Sequence, residues 1–397
     1  MDRRIIATLL AVVLVTGIVV GYAIGFYTVH PSSNKNNVIS IYAAGSLKNV
    51  LGDRFNPEFE NITGINSGLT FGGSVGGAGE IKSGANFDVF ISAAAGVIPQ
   101  YLMPNYTKWM VIFASNEMAV TWTNNSYRIA GPFWFENLSA PGVKVAVSNS
   151  SLDPSGFQAI EMIKLAGILY TNWSNPYVKE AFGNDYSMFK SYNSAWNSWF
   201  GENGSLERSG NGHGYPVNDS MALYDQLFKY KMNANPQQLI LSTVEIDLNN
   251  YLTTGAADYA LTYRSQAVNQ HLYYYQNPNG SNGLPSWINL GNISPAQVRF
   301  YQEVNTSGPP SDNIGNFPGG PILYAATILT ASRNTADAQQ FIYYLISNLG
   351  VTSLRASDFD PITVPFIYSP LSSQPAFLAG LTQPVPGYIP SSSYEEV

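Results

Sequence analysis

Cysteine is absent from this chain, which removes disulfides and thiolate metal sites from consideration and leaves the core to be held by burial alone. Charge is scarce too. Asp, Glu, Lys and Arg make up 11% of the residues, against roughly 25% in an average globular protein. Histidine is limited to His30, His213 and His271, none of them placed to suggest a Ser/His/Asp arrangement, and no metal-ligand spacing appears. The formal net charge of −7 argues against nucleic acid or a polybasic membrane surface as partner. A surface short of charge needs another solubiliser. Asn-x-Ser/Thr sequons begin at Asn61, Asn105, Asn124, Asn137, Asn149, Asn172, Asn203, Asn218, Asn279, Asn292 and Asn305, a spread that suits a glycosylated protein of the cell exterior.

One long apolar run is present. After Arg3 and Arg4, residues Ile5 to Phe26 carry no charge, and at about 1.5 Å per residue they reach roughly 33 Å, enough for the hydrocarbon core of a bilayer. The arginines place the N-terminus inside, so residues 1–30 read as one N-terminal transmembrane helix that anchors the chain to the extracellular face of the cell membrane. A cleaved signal peptide is the rival reading, although its apolar core is usually only about 7 to 15 residues. Residues 31–37, P-S-S-N-K-N-N, form a polar tether.

Beyond the tether, strand and helix patterns alternate, as in α/β folds with largely parallel sheets. Val38–Ala43, Gly68–Phe71 and Asp88–Ser92 read as strands, Leu47–Glu60 as a helix and Gly79–Ser83 as a short one. Val111–Thr123 is too long for an ordinary strand and reads as a crossover between two lobes, with Pro321–Thr330 as the return. That division gives residues 38–116 with 321–366 as lobe I and 117–320 as lobe II. Residues 181–236 read as an Asn/Gly/Ser/Tyr-rich insertion, and 367–397 as an irregular Ser/Pro-rich tail.

Two turns stand out. Tyr42-Ala43-Ala44-Gly45-Ser46-Leu47 and Phe71-Gly72-Gly73-Ser74-Val75-Gly76 each end an apolar run at glycine, present a serine and begin a segment that can be helical. Glycine admits close approach to the backbone, serine caps the helix, and the free N–H groups of its first turn attract an anion. In the second lobe, Asp153-Pro154-Ser155-Gly156 is a strong helix start, with Asp as N-cap and Pro at the first helical position. Glu245-Ile246-Asp247-Leu248 precedes a short helix that stops at Gly255. Asp258–Tyr263 reads as a strand ending in Tyr263-Arg264-Ser265.

In this order, A-G-S-L, G-S-V, D-V-F-I-S, F-A-S-N-E, S-x-x-D-P-S-G, E-x-D-L and D-Y-A-L-T-Y-R-S resemble the periplasmic-type binding proteins for molybdate and tungstate, and most closely their archaeal branch. The resemblance runs from Val38 to Ile362, and residues 181–236 match poorly. It implies a two-lobed α/β fold of the periplasmic-binding-protein type (type II), hinged by crossover strands. The implied protein does no chemistry and carries no cofactor. It captures a small oxyanion, tungstate or molybdate, and delivers it to an ABC permease and its ATPase. By motif, Ser46 and Ser74 would donate from lobe I. Asp153, with the amides near Ser155 and Gly156, would face them from lobe II, and the Tyr263 hydroxyl would reach the ligand. Glu245 matches the branch's glutamate, with Asp247 as a neighbouring rival.

Neutral hydroxyls, amides and helix N-termini suit a buried dianion. Two carboxylates beside it do not, unless they are protonated or bonded to the Mo or W centre itself. The resemblance implies the second route for Asp153 and Glu245, a route that sulfate and phosphate cannot readily follow. Arg264 could clamp an anion bidentately, but its place just after a strand favours a lobe-surface or ion-pair role. Tyr273–Tyr275, Trp173, Trp196 and Trp199 could stack on sugars, yet aromatics in such numbers usually fill cores. The alternative is an anchored exterior glycoprotein of the same fold that binds sulfate, phosphate or a sugar, or serves the cell envelope structurally.

Overall fold

The computed structural model describes residues 38–124, 126, 132–201, 214–306, 317–369 and 374–389. The apolar run Ile5–Phe26, the 31–37 tether, His30, Asn203 and His213 lie outside them. Among the described residues no helix is long and apolar enough to cross a membrane.

The strands are β1 (Val38–Ala44), β2 (Asn66–Gly72), β3 (Val89–Ser92), β4 (Met110–Ser115), β5 (Met118–Trp122), β6 (Val145–Ser148), β7 (Leu239–Ser242), β8 (Tyr259–Tyr263), β9 (Tyr273–Tyr274), β10 (Leu323–Ile328), β11 (Asp360–Tyr368) and β12 (Gln383–Pro384). They form two sheets, each the base of one lobe. The first runs β12-β11-β4-β10-β3-β1-β2 and the second β7-β6-β8-β5-β9. Central strands β3, β4 and β10 are buried throughout, whereas edge strand β2 alternates exposed and half-buried residues. Continuous apolar runs suit the middle of a covered sheet, and alternation suits an edge.

The sheets are mixed, which corrects the expectation of largely parallel ones. β1 lies parallel to β2 and β3, and β6 parallel to β7 and β8, but β10 is antiparallel to both β3 and β4, β11 to β4, and β5 to β8. A strand that re-enters a lobe from its neighbour runs against the strand that left it. The long run from Val111 to Thr123 is also two strands, broken at Asn116-Glu117. The return is made before β10, which lies wholly in the first sheet. Asn116 N–H donates to Ile322 O (3.3 Å), Ile322 N–H to Leu290 O (2.8 Å) and Met118 N–H to Asn289 O (2.8 Å), so the two crossovers lie side by side as a hinge.

In the first lobe the rings of Phe55, Phe59 and Phe341 interlock with centroids 5.1–5.8 Å apart, each buried ring contributing roughly 1.5–3 kcal/mol. In the second, helix Pro154–Thr171 is buried on nearly every side, its Gln158, Glu161 and Lys164 included. The described part of the stretch 181–236 packs against this lobe. Within it, helix Tyr186–Phe200 buries Phe189, Trp196 and Phe200, and Trp196 packs 5.0 Å from Phe135. Trp173 and Trp199 also pack against this core, which accounts for these tryptophans without a sugar. The tail is not irregular throughout, because β12 pairs with β11 through Phe366–Gln383 and Ile367–Pro384.

Candidate functional site

The two glycine–serine turns each meet an acidic turn of the other lobe. At Gly45 a side chain would lie 3.4 Å from the Ile246 Cβ, beside Glu245. At Gly73 it would lie 2.3 Å from Leu152 O and 3.3 Å from the Asp153 Cα. Gly76 N–H donates across the same gap to Leu152 O (3.0 Å). The lobes are therefore in contact along both turns.

Ser46 is the middle residue of a 3₁₀ turn, Gly45–Leu47, directly after β1, and is buried. Its hydroxyl bonds the Tyr324 hydroxyl (2.8 Å). Asn116 Nδ2 donates to that same tyrosine oxygen (3.3 Å) and to Ser265 Oγ (2.8 Å), so a polar chain runs from Ser46 into the hinge. Ser74 is the first residue of helix Ser74–Lys82, and its hydroxyl accepts from Ala93 N–H (3.0 Å). The sequence placed that helix five residues later because Val75-Gly76-Gly77-Ala78 has poor helix propensity. Packing overrides it: a Cβ at Gly77 would lie 2.1 Å from the Tyr42 ring, so the glycine lets the helix settle on that ring.

Asp153 caps helix Pro154–Thr171 and ties three segments together. Its Oδ1 accepts from Ser155 N–H (2.9 Å) and Ser148 Oγ (3.3 Å), and its Oδ2 accepts from Glu245 N–H (3.0 Å). Gly156 allows this closeness, since a Cβ there would lie 2.3 Å from Ser148 O and 2.6 Å from Ser150 N. Glu245 is buried while Asp247 is exposed, so the chain turns Glu245 inward, not its rival. Glu245 Oε1 accepts from the Thr262 hydroxyl. Tyr263, at the end of β8, is buried and donates to Gln158 Oε1 (2.6 Å), and its ring meets Tyr324 of the other lobe at 6.3 Å, edge to face. Gln158 also lines a small opening between the lobes, with Ala94, Ala95, Phe157, Phe317 and Leu323.

Burial pushes the Asp153 carboxyl up to about 6, against the pull of its hydrogen bonds to Glu245 N–H, Ser155 N–H and Ser148. It pushes Glu245 up to about 8, moderated by Thr262 and reinforced by the charge of Asp153. Three buried polar atoms of these segments have no hydrogen-bond partner: Ser150 Oγ, Ser155 Oγ and Glu245 Oε2. A buried donor or acceptor left alone costs about 1–3 kcal/mol, and all three lie in the segments that Asp153 ties together. Ser150 opens the S-x-x-D-P-S-G motif and Asn116 lies in F-A-S-N-E, but neither motif by itself gives them a role; Tyr324 and Gln158 have no local pattern that separates them from ordinary core residues. Among the described residues no cluster of His, Asp or Glu could hold a metal ion by itself.

Closure should be sensitive to one methyl group. Gly73→Ala would drive Cβ into the Leu152 carbonyl, so the cleft is expected to stay open, weakening solute affinity roughly tenfold or more. Small-angle scattering with and without solute would show it, as loss of the compaction seen in the unmodified chain at an unchanged unfolding temperature.

A family model described as bacterial extracellular solute-binding protein matches residues 39–359. The chain belongs to that family. It is 49% identical over 388 residues to an uncharacterized solute-binding protein of Thermoplasma volcanium, covering 97% of this chain and 96% of the relative. It is 26% identical to the molybdate/tungstate-binding protein WtpA of Pyrococcus abyssi, covering 85% and 88%. The periplasmic molybdate-binding protein of Azotobacter vinelandii aligns in structure with a TM-score of 0.43 at 15% identity, covering 81% of this chain and 98% of that one. This extracellular solute-binding protein is a transport receptor, not an enzyme, and carries no cofactor. Its partners are its solute and the permease and ATPase of an ABC transporter.

Proposed function

We propose that this receptor captures tungstate or molybdate between its lobes, with Asp153 and Glu245 each giving one carboxylate oxygen to the Mo or W centre. The observation that carries the reading is the buried Asp153–Glu245 pair, in which Glu245 Oε2 has no partner and the unpartnered hydroxyls of Ser150 and Ser155 lie in the adjoining turns. A carboxyl pair alone would repel an oxyanion. Bonded to a metal centre that can expand its coordination, the same pair becomes attractive. The amides around Ser155 and Gly156, with the Ser46, Ser74 and Tyr263 hydroxyls, would take the oxygens. The named tungstate-binding relative and the order of the motifs support this solute class. We further propose that residues 1–30 anchor the receptor to the outer face of the membrane and that exposed sequons carry glycan.

Titration calorimetry with tungstate, molybdate, sulfate and phosphate, after unfolding and refolding to strip carried solute, tests the reading. One-to-one binding of the first two, with sulfate and phosphate silent, is the expected result. Binding of sulfate or phosphate at comparable strength, or silence from all four, would overturn it.

A further inference from the structure

Arg264 opens the short helix Arg264–Asn269 that follows β8, one residue beyond Tyr263. Its guanidinium is ringed by carboxylates: Nε lies 2.8 Å from Asp358 Oδ2, Nη1 3.4 Å from Glu117 Oε2 and Nη2 3.2 Å from Asp360 Oδ2. These groups come from different bodies. Arg264 belongs to the second sheet's lobe, Asp360 begins β11 of the first sheet with Asp358 just before it, and Glu117 sits in the crossover between β4 and β5. Glu117 is wedged there, because a Cβ on Gly291 of the other crossover would lie 2.4 Å from its Cγ, and Asn282 Nδ2 donates to its Oε2 (3.0 Å). Two more residues of the same short helix reach the first lobe: Gln266 donates to Ser46 O (2.6 Å) and Asn269 to Ser357 O (2.8 Å).

We propose that Arg264 is a positioning residue for solute capture, an ionic latch on the hinge side that holds the lobes closed and so sets how long the solute is retained. An exposed ion pair is worth little. Here one planar guanidinium, only 17% exposed, serves three carboxylates, a geometry in which arginine's fixed fork loses less entropy than separate lysines would. Opening the lobes carries Arg264 away from Asp358 and Asp360 while Glu117 stays at the hinge, so the interaction counts toward closure and not merely toward folding of one lobe. It acts through partly exposed charges and therefore weakens as salt screens them.

The absence of native cysteine permits a direct test on the full chain. Cysteines placed at exposed Ile62 and Met188, one on each lobe, can carry spin labels. The interlobe distance is then measured without solute from about 0.01 M to about 1 M salt, across which the screening length falls from roughly 30 to 3 Å. The expected result is a shift to longer distances with salt in the unmodified receptor, long distances at both salts in Arg264→Gln, and partial recovery in Arg264→Lys. Tungstate release, followed by stopped flow, should quicken about tenfold in Arg264→Gln with the association rate nearly unchanged, as closure affects mainly the off-rate. Should Arg264→Gln fold poorly, Asp360→Asn, at a more exposed position, is expected to give a smaller shift of the same sign. Distances insensitive to salt and to these substitutions would overturn the latch. Because the distance measurement uses no solute, it judges the latch even if tungstate proves not to bind.

Discussion

Glu245→Gln is expected to lower tungstate affinity on the order of 100-fold, about 3 kcal/mol, while leaving the fold intact. Glutamine has the shape of a protonated glutamate, so the contact with Thr262 survives, and the receptor without solute should unfold at or above its usual temperature. What is lost is the carboxylate oxygen that Glu245 would give the metal centre once its proton leaves, Oε2 having no hydrogen-bond partner within the protein. Asp153→Asn should differ. Its carboxylate accepts from Ser155 N–H, Ser148 Oγ and Glu245 N–H, and an amide with one acceptor oxygen cannot serve both sides. Part of the helix cap, typically worth about 1 kcal/mol, is expected to go along with tungstate binding. Calorimetry with tungstate and thermal unfolding of both variants separate the two effects. Wild-type affinity in Glu245→Gln would show that this carboxyl does not bond the solute.

Tungstate binding is also expected to release close to one proton near neutral pH. With Asp153 pushed up to about 6 and Glu245 to about 8 by burial first of all, the receptor without solute holds Asp153 ionised and Glu245 protonated at pH 7. A glutamate bonded to the metal centre must be a carboxylate, so its proton leaves as the solute arrives. Affinity should then rise about tenfold per pH unit up to about pH 8, and the calorimetric heat should vary with the ionisation enthalpy of the buffer. The stability of the receptor without solute runs the other way. Between the ordinary value of 4.5 and about 8 for Glu245, the folded chain keeps a proton that the unfolded chain has released. That contribution is therefore whole below pH 4.5 and is lost as pH rises through 8, with Asp153 acting in the same sense from 3.8 to about 6. The solute-free receptor should melt higher at pH 5 than at pH 8, less so in Glu245→Gln, and tungstate should offset the difference. A binding heat that does not change with buffer would rule out the proton release.

Chain-local physics made much of this legible. Strands that break at Gly45-Ser46 and Gly73-Ser74, and the cap-and-proline start at Asp153-Pro154, are decided by a few consecutive residues, and the structure places helical turns at each. The long run from Val111 to Thr123 announced a change of lobe, although only the side-by-side crossovers fix the break at Asn116-Glu117. The Ser74 turn was legible as a helix start, but the glycines after it lower intrinsic propensity, and only the Tyr42 ring explains why they are helical. Low charge and abundant aromatics signalled filled cores, as helix Tyr186–Phe200 shows against Phe135.

The sequence by itself determined the strand–helix alternation, the two glycine–serine turns, the acidic helix start and the exclusion of thiol chemistry, since each rests on composition or on neighbours along the chain. The tertiary structure alone decided that Glu245 and not Asp247 faces Asp153, that Tyr324 and Asn116 carry a polar chain from Ser46 to the hinge, and that Arg264 gathers carboxylates from the first lobe and the crossover. Those residues are far apart in sequence, and their meeting depends on which edges the crossovers bring together, a choice made by packing of the whole chain and not by any segment of it.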